Sequence, residues 1–311
     1  MKTTCEQLSH LRKHHSAGLS IRKTAKLLGM SKSVVGKHFY KFSREEGTKK
    51  ESNSPRILLL DIETAPAEVL AFGRFKQNLT QDHILNEGGW LISIAWKWLG
   101  DDTTFGEVLA SDEALLKDDY RLINDIVYQI NEADIVIGHN IDGFDIPKIK
   151  ARMIGHGLKP FKTVKTIDTL KIAKRLGFPS NKLDSLASFL DIGRKLQHQG
   201  ISLWKGCMQG CEIALQDMQE YNMADVDLLE KVYLKLRAYD TMPPNIGKLY
   251  NEEVIRCPAC GSKDLTMTGH LVHTPVSTYD EVVCNCCGHR SRKRKVTNTK
   301  EVRSNVLITP R

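Results

Sequence analysis

Asp61 and Glu63 stand two residues apart in Leu58-Leu-Leu-Asp-Ile-Glu-Thr64. If the apolar run before them is a buried strand, side-chain alternation puts both carboxylates on one face. Two like charges at one buried place repel, and a divalent cation that accepts hard oxygen ligands, such as Mg2+ or Mn2+, neutralises them. A strand end fraying into water would hold the same two acids at no cost, so both readings stand on this motif alone. A third acid, Asp145, ends Gly138-His-Asn-Ile-Asp-Gly-Phe-Asp145 and precedes Ile146-Pro147, where it also fits as a helix cap. A fourth, Asp225, falls on the apolar stripe Leu215, Met218, Leu229, Val232 and Leu236 of a long helical pattern. Tyr221 lies one turn earlier on the same face, and a buried Asp–Tyr hydrogen bond accounts for the pair as well as a metal ligand does. Asp227 points elsewhere and serves as a control.

Cysteine supplies the second chemistry. Of the eight cysteines, Cys257-Pro-Ala-Cys260 and Cys284-Asn-Cys-Cys287 have the two-residue spacing from which one turn donates two thiolates. Two such turns complete a tetrahedral zinc site, and Gly261 and Gly288 follow them. Cys286 is the spare thiol, although an exchange of roles with Cys284 or Cys287 stays open. Cys207-x3-Cys211 has no further ligand pair beside it, and His139 has no role beyond orientation or packing.

The elements that must position these groups are legible from pattern. Arg56–Ile62 and Trp90–Trp98 read as strands, with a weaker one at Thr104–Ala110 and a short buried one at Asp134–Gly138. Helical patterns cover Glu113–Glu132, Phe144–Ile154, Asp168–Arg175, Lys182–Leu190 and Ile213–Tyr239. Strands first, then alternating helices and strands, give an α/β domain with a mixed sheet flanked by helices. Before it, Ser20 and Ser31 are placed to cap two short helices that flank Gly29. Ala25, Leu28, Val34 and Val35 would form the contact between them. This resembles the resolvase-like helix-turn-helix and implies that Lys32, Ser33, Lys37, Tyr40 and Lys41 face nucleic acid.

Charge divides the chain in the same way. Residues 1–50 carry 12 Lys and Arg against 3 Asp and Glu, residues 245–311 carry 11 against 6, and the middle carries 22 against 28. Basic ends around an acidic centre suit nucleic-acid contacts outside and cation chemistry inside. The expected organisation is a helix-turn-helix over 1–45, a polar linker over 46–55, the α/β domain over 56–243, a zinc ribbon over 254–292 and a basic, flexible tail over 293–311. The run Arg290-Ser-Arg-Lys-Arg-Lys295 could grip phosphate. No apolar run approaches the roughly 18 residues of a membrane span, and the first residues lack a signal-peptide pattern, so a cytoplasmic protein is expected.

Taken in order, Asp61-x-Glu63, Asn140-x3-Phe144-Asp145 and Tyr221-x3-Asp225 resemble the three motifs of the DEDD 3′–5′ exonuclease superfamily. Tyrosine four residues before the last Asp is the form of the tyrosine subgroup; the histidine subgroup would need a His where Glu220 stands. Gly138-His-Asn-Ile-x-x-Phe-Asp145 is similar to the proofreading domain of family B DNA polymerases. The resemblance covers Arg56 to Tyr239 and implies a ribonuclease-H-like fold with two Mg2+ (or Mn2+) ions about 4 Å apart. It further implies that Asp61 bridges both ions, and that Glu63 and Asp225 hold the one bearing the nucleophilic water. Asp145 would support the other ion, Tyr221 would orient the water, and Asn140 and Phe144 would touch the terminal nucleotide. Too little chain follows for a polymerase domain, so a stand-alone exonuclease is expected, acting on nucleic acid, foremost DNA with a free 3′ end, and releasing nucleoside monophosphates. A bacterial or phage-infected cell, with replication or repair proteins as partners, suits that activity. Two further classes are carried: a ribonuclease-H-like endonuclease, and a DNA-binding replication or regulatory adaptor with an inactive nuclease scaffold. Tyr221 favours the exonuclease over the first, and the full set of four carboxylates argues against the second.

Overall fold

The structure, a computed structural model, describes residues 4–16, 21–31, 34–36, 38, 42, 54–73, 75, 78–197 and 199–308. The chain divides into two compact units, 1–54 and 55–311. In the first, helices Cys5–Ser16 and Ile21–Leu28 precede Gly29, whose φ of +61° ends the second helix in a left-handed turn. Ser31 Oγ then accepts the Val34 N–H at 3.3 Å, as an N-cap does, and the described residues beyond it are helical. Leu11, Ala25, Val35 and Phe42 are buried together, with Leu28 packed against them and Val34 only half-buried. The five side chains expected to face nucleic acid, Lys32, Ser33, Lys37, Tyr40 and Lys41, lie outside the described residues, as do Ser20 and most of the linker.

The second unit is built on a five-stranded mixed sheet. Its strands are β1 (Ile57–Thr64), β4 (Leu91–Trp98), β5 (Thr104–Val108), β6 (Ile135–Gly138) and β7 (Lys165–Asp168), in the order β5-β4-β1-β6-β7. A small hairpin of β2 (Glu68–Val69) and β3 (Ile84–Asn86) leaves the end of β1. β1 is central, antiparallel to β4 and parallel to β6. It must bury both faces, and Ile57 to Leu60 accordingly form a continuous buried run. The 25-residue helix Glu212–Leu236 packs across β4, β5 and β1. Its buried residues include the whole stripe Leu215, Met218, Leu229, Val232 and Leu236 that its sequence marks as apolar. This mixed sheet flanked by helices is the ribonuclease-H-like architecture that the motifs imply. Among the described residues no helix is long and apolar enough to cross a membrane.

Several elements differ from the sequence reading. The helix expected over 113–132 is two, Ser111–Leu116 and Tyr120–Glu132, broken where Lys117 turns left-handed at φ +57°. The break brings Asp119, fully buried, onto the Leu91 N–H at 2.8 Å and the Arg152 guanidinium at 2.7 and 2.8 Å. Helical periodicity could not register that tertiary demand. Strand β7 and helix Ile201–Met208 were not legible either, since each is short and amphipathic only in context.

Residues 254–292 do not end the C-terminal region. Strands β8 (Leu265–His273), β9 (Thr278–Cys284) and β10 (Arg290–Val296) form a separate sheet in the order β10-β9-β8, and helix Lys300–Ser304 follows. The basic run expected to open a flexible tail at 293 is therefore an edge strand, paired to β9 through Val296. Alternation sets Arg290, Arg292 and Arg294 exposed, with Arg292 3.9 Å from the Tyr279 ring centre. This sheet sits on the α/β domain rather than hanging from it. Buried His289 Nδ1 lies 3.1 Å from the Ala238 carbonyl just past the long helix, and the Ile246 N–H donates to the Pro258 carbonyl at 2.8 Å. Ile246 itself belongs to the same apolar core as Tyr233 and Leu236.

Candidate active site

The end of β1 is where the acids meet. Its parallel ladder with β6 stops at Leu59–Ile137, and beyond that point the Ile62 N–H donates to Asp145 Oδ1 at 3.2 Å. Asp145 is thus pulled beneath the strand that carries Asp61 and Glu63, and it is 2% exposed. It is the first residue of helix Asp145–Gly155, so the cap position itself falls to Phe144. From the other side the long helix brings Asp225, 1% exposed, and one oxygen each from Asp61, Glu63 and Asp225 lie within 4.8 Å of one another. Asp145 stands outside that triple but close enough to act electrostatically on Asp61 and Glu63.

The charges are costly there. Burial first, then the neighbouring Asp145, Glu63 and Asp225, raises the Asp61 carboxyl well above its ordinary range. Burial and then Asp225 push Glu63 up to about 7, and burial pushes Asp145 up to about 7. Three polar groups lessen the cost. The Trp204 indole hydrogen-bonds Glu63, Asn222 Nδ2 donates to Asp61 Oδ2 at 3.3 Å, and Lys195 Nζ lies 2.5 Å from Asp225 Oδ2. The Asn222 side-chain oxygen is itself buried without a hydrogen-bond partner among the described residues. Clustered hard oxygens, negative charge that one ammonium offsets only in part, and an unsatisfied amide oxygen fit a divalent cation.

Tyr221 meets Asp225 through Lys195, whose ammonium is 3.1 Å from the phenol oxygen. Burial and then Asp225 hold that phenol protonated, well above its ordinary pKa. Tyr221 also packs edge-on to Trp204, with ring centres 6.1 Å apart. Asp227, one residue past Val226, faces the opposite way and bonds Lys97 at 3.0 Å and Thr104 at 2.5 Å.

Asn140 lies in the turn after β6 at φ +68°, a conformation that asparagine tolerates better than most residues. Its N–H donates to Asp168 Oδ1 at 2.9 Å, and a Cβ on Gly143 would come within 2.7 Å of its side-chain oxygen. A larger residue at 143 would have to displace that side chain. With His139, Lys182, Asp184 and Lys195, Asn140 lines a cavity of about 550 Å³, to which Lys195, the partner of Asp225, is the link from the acids. His139 is fixed there by a 2.9 Å contact with the Thr169 hydroxyl. Phe144 is at the surface, not in the core, 6.0 Å from Lys148 Nζ.

The sequence reading missed Lys195, Trp204, Asn222 and Asp168. Asn222 had a weak signal, three residues before Asp225 and so on a neighbouring helical position. Lys195 and Trp204 had none, because they reach the acids from segments whose placement only the fold decides.

The second cluster is that of the cysteines. Sulfurs of Cys257, Cys260, Cys284 and Cys287 lie within 4.8 Å of one another, with Cys257–Cys287 at 3.7 Å and Cys260–Cys284 at 3.6 Å. Tetrahedral thiolates at Zn–S of about 2.3 Å would be roughly 3.8 Å apart, so the four sulfurs fit one zinc ion. Cys286 is exposed and outside the group. Cys207 is buried and bonds the Ala214 carbonyl, with no metal-ligand cluster around it among the described residues.

Residues 86–237 match the RNase_H superfamily, a span that holds Asp145, Tyr221 and Asp225 but begins after β1. No curated protein matches the sequence. Among solved structures the chain is similar to a family B DNA polymerase from the hyperthermophilic archaeon Pyrobaculum calidifontis, at 16% identity and a TM-score of 0.42. That similarity covers 64% of this chain and 27% of the polymerase.

Proposed function

We propose that the second unit is a metal-dependent 3′–5′ exonuclease that releases nucleoside monophosphates from nucleic acid, foremost DNA. The observation that carries this reading is the convergence of Asp61, Glu63 and Asp225 within 4.8 Å, with Asp145 drawn against β1 beside them. Divalent ions bound by these carboxylates would supply Lewis acidity and a water of lowered pKa. The chain's own groups do the rest. Asn140 and Phe144, at the turn after β6, would contact the terminal nucleotide. Tyr221, protonated, would orient the attacking water by a hydrogen bond. In the reaction the water oxygen bonds to phosphorus as the water gives up a proton to solvent, the bond from phosphorus to the 3′ oxygen breaks, and that oxygen takes up a proton in turn. The ring of Trp204 and the surrounding core exclude bulk water from one side, which strengthens each of these interactions.

Four cysteines hold a structural zinc in this reading, and the first unit and the arginine-rich strand β10 supply contacts to phosphate. The deciding experiment incubates the full chain with single-stranded DNA labelled at its 5′ end, with Mg2+ or Mn2+. A ladder shortening from the 3′ end with mononucleotide release is expected, and abolished by Asp61→Asn. Internal fragments would make the protein an endonuclease instead, and absence of any cleavage would leave the nuclease fold as scaffold.

A further inference from the structure

One cation already stands in the acid cluster. Lys195 leaves an irregular segment just after Gly193, which adopts φ +135°. Its backbone N–H is pinned to Asp184 Oδ1 at 2.8 Å, outside the cluster, while its Nζ reaches Asp225 Oδ2 at 2.5 Å and Tyr221 at 3.1 Å. Asp225 is also one of the three residues whose oxygens converge within 4.8 Å. A divalent ion taken by those three would share the Asp225 carboxylate, one oxygen of which the ammonium now engages, and it would repel the ammonium.

The lysine has somewhere else to go. Its four-carbon stem is flexible. The same side chain lines the 550 Å³ cavity shared with His139, Asn140, Lys182 and Asp184. We propose that Lys195 is a built-in counter-ion of the carboxylate cluster that competes with a divalent cation at Asp225, and that cation entry moves its ammonium into the adjoining cavity. There, beside Lys182, it faces the phosphate of a nucleic-acid strand. Lys195 is thus a positioning residue that couples cation binding to phosphate binding. The inference rests on the reading of the three carboxylates as a cation site.

The test is Mn2+ binding to the full-length, zinc-loaded chain, followed by calorimetry and by the Mn2+ concentration that gives half-maximal thermal stabilisation. Lys195→Met and Lys195→Gln are both prepared in Mn2+ and then exchanged, so neither needs to fold first in metal-free buffer. Each should bind Mn2+ at least tenfold more tightly than the parent chain, equivalent to about 1.4 kcal/mol. A lysine with a merely structural role would leave Mn2+ affinity unchanged or weaken it. Affinity equal to or below that of the parent chain in both folded variants overturns the competition. Asp225→Asn separates this failure from that of the underlying site. If it binds Mn2+ as well as the parent chain, the carboxylates are not the cation site, and the inference falls with that reading.

Discussion

Glu63→Gln should make the metal-free protein more stable at neutral pH, although it removes a group proposed to be essential for hydrolysis. In the fold Glu63 is pushed from an ordinary value of 4.5 to about 7, by burial and then by Asp225. A carboxyl whose folded pKa is raised contributes its full share of stability below the unfolded pKa and loses it as pH rises through the folded value. The window therefore runs from about 4.5 to about 7. A shift of that size corresponds to an upper limit of about 3.5 kcal/mol of destabilisation above pH 7, at roughly 1.4 kcal/mol per unit, of which solvent screening leaves about 3. Glutamine keeps the shape and the capacity to bond Trp204, but carries no charge to lose. Urea unfolding of protein dialysed free of Mg2+ and Mn2+, at pH 5 and pH 8, measures the difference. The variant and parent should be close at pH 5, with the variant ahead at pH 8 by up to about 3 kcal/mol. Added Mn2+ should stabilise the parent at pH 8 far more than the variant. If Glu63→Gln were instead less stable at pH 8 without metal, Lys195 and Trp204 would already satisfy the carboxylate, and the electrostatic case for a cation would fail.

The remaining expectations concern the neighbours of the site. Asp225→Ala should abolish hydrolysis, whereas Asp227→Ala should leave kcat/KM within about twofold, because Asp227 faces Lys97 and Thr104 and Lys97 keeps Glu230 at 2.7 Å; equal loss in both variants would misplace the third motif. Cys284→Ser should remove about one zinc per chain by metal analysis and, because His289 and Pro258 bond to Ala238 and Ile246, lower the thermal midpoint of the whole second unit. An unchanged nuclease midpoint after zinc loss would show that the cysteine sheet does not brace the long helix.

Periodicity and spacing by themselves grouped the residues of the candidate site. Alternation along Leu58–Thr64 put Asp61 and Glu63 on one face, and the 3.6-residue repeat put Tyr221 and Asp225 on the buried stripe of the long helix, because both rules act within a single element. The paired cysteines were equally legible, since one turn places two sulfurs whatever surrounds it. Choices between equivalents needed the fold: whether Asp145 capped a helix or turned toward β1, and which of Cys284, Cys286 and Cys287 joined the cluster. So did every contact spanning distant segments. Lys195 reaches Asp225 across 30 residues and Asn222 reaches Asp61 across 161, and no local pattern encodes such pairs. Residues 293–311 read as a loose tail because their charges suit solvent, yet the backbone as far as Val296 is claimed by β9, and strand pairing is satisfied by a partner's N–H and C=O groups, to which composition is blind.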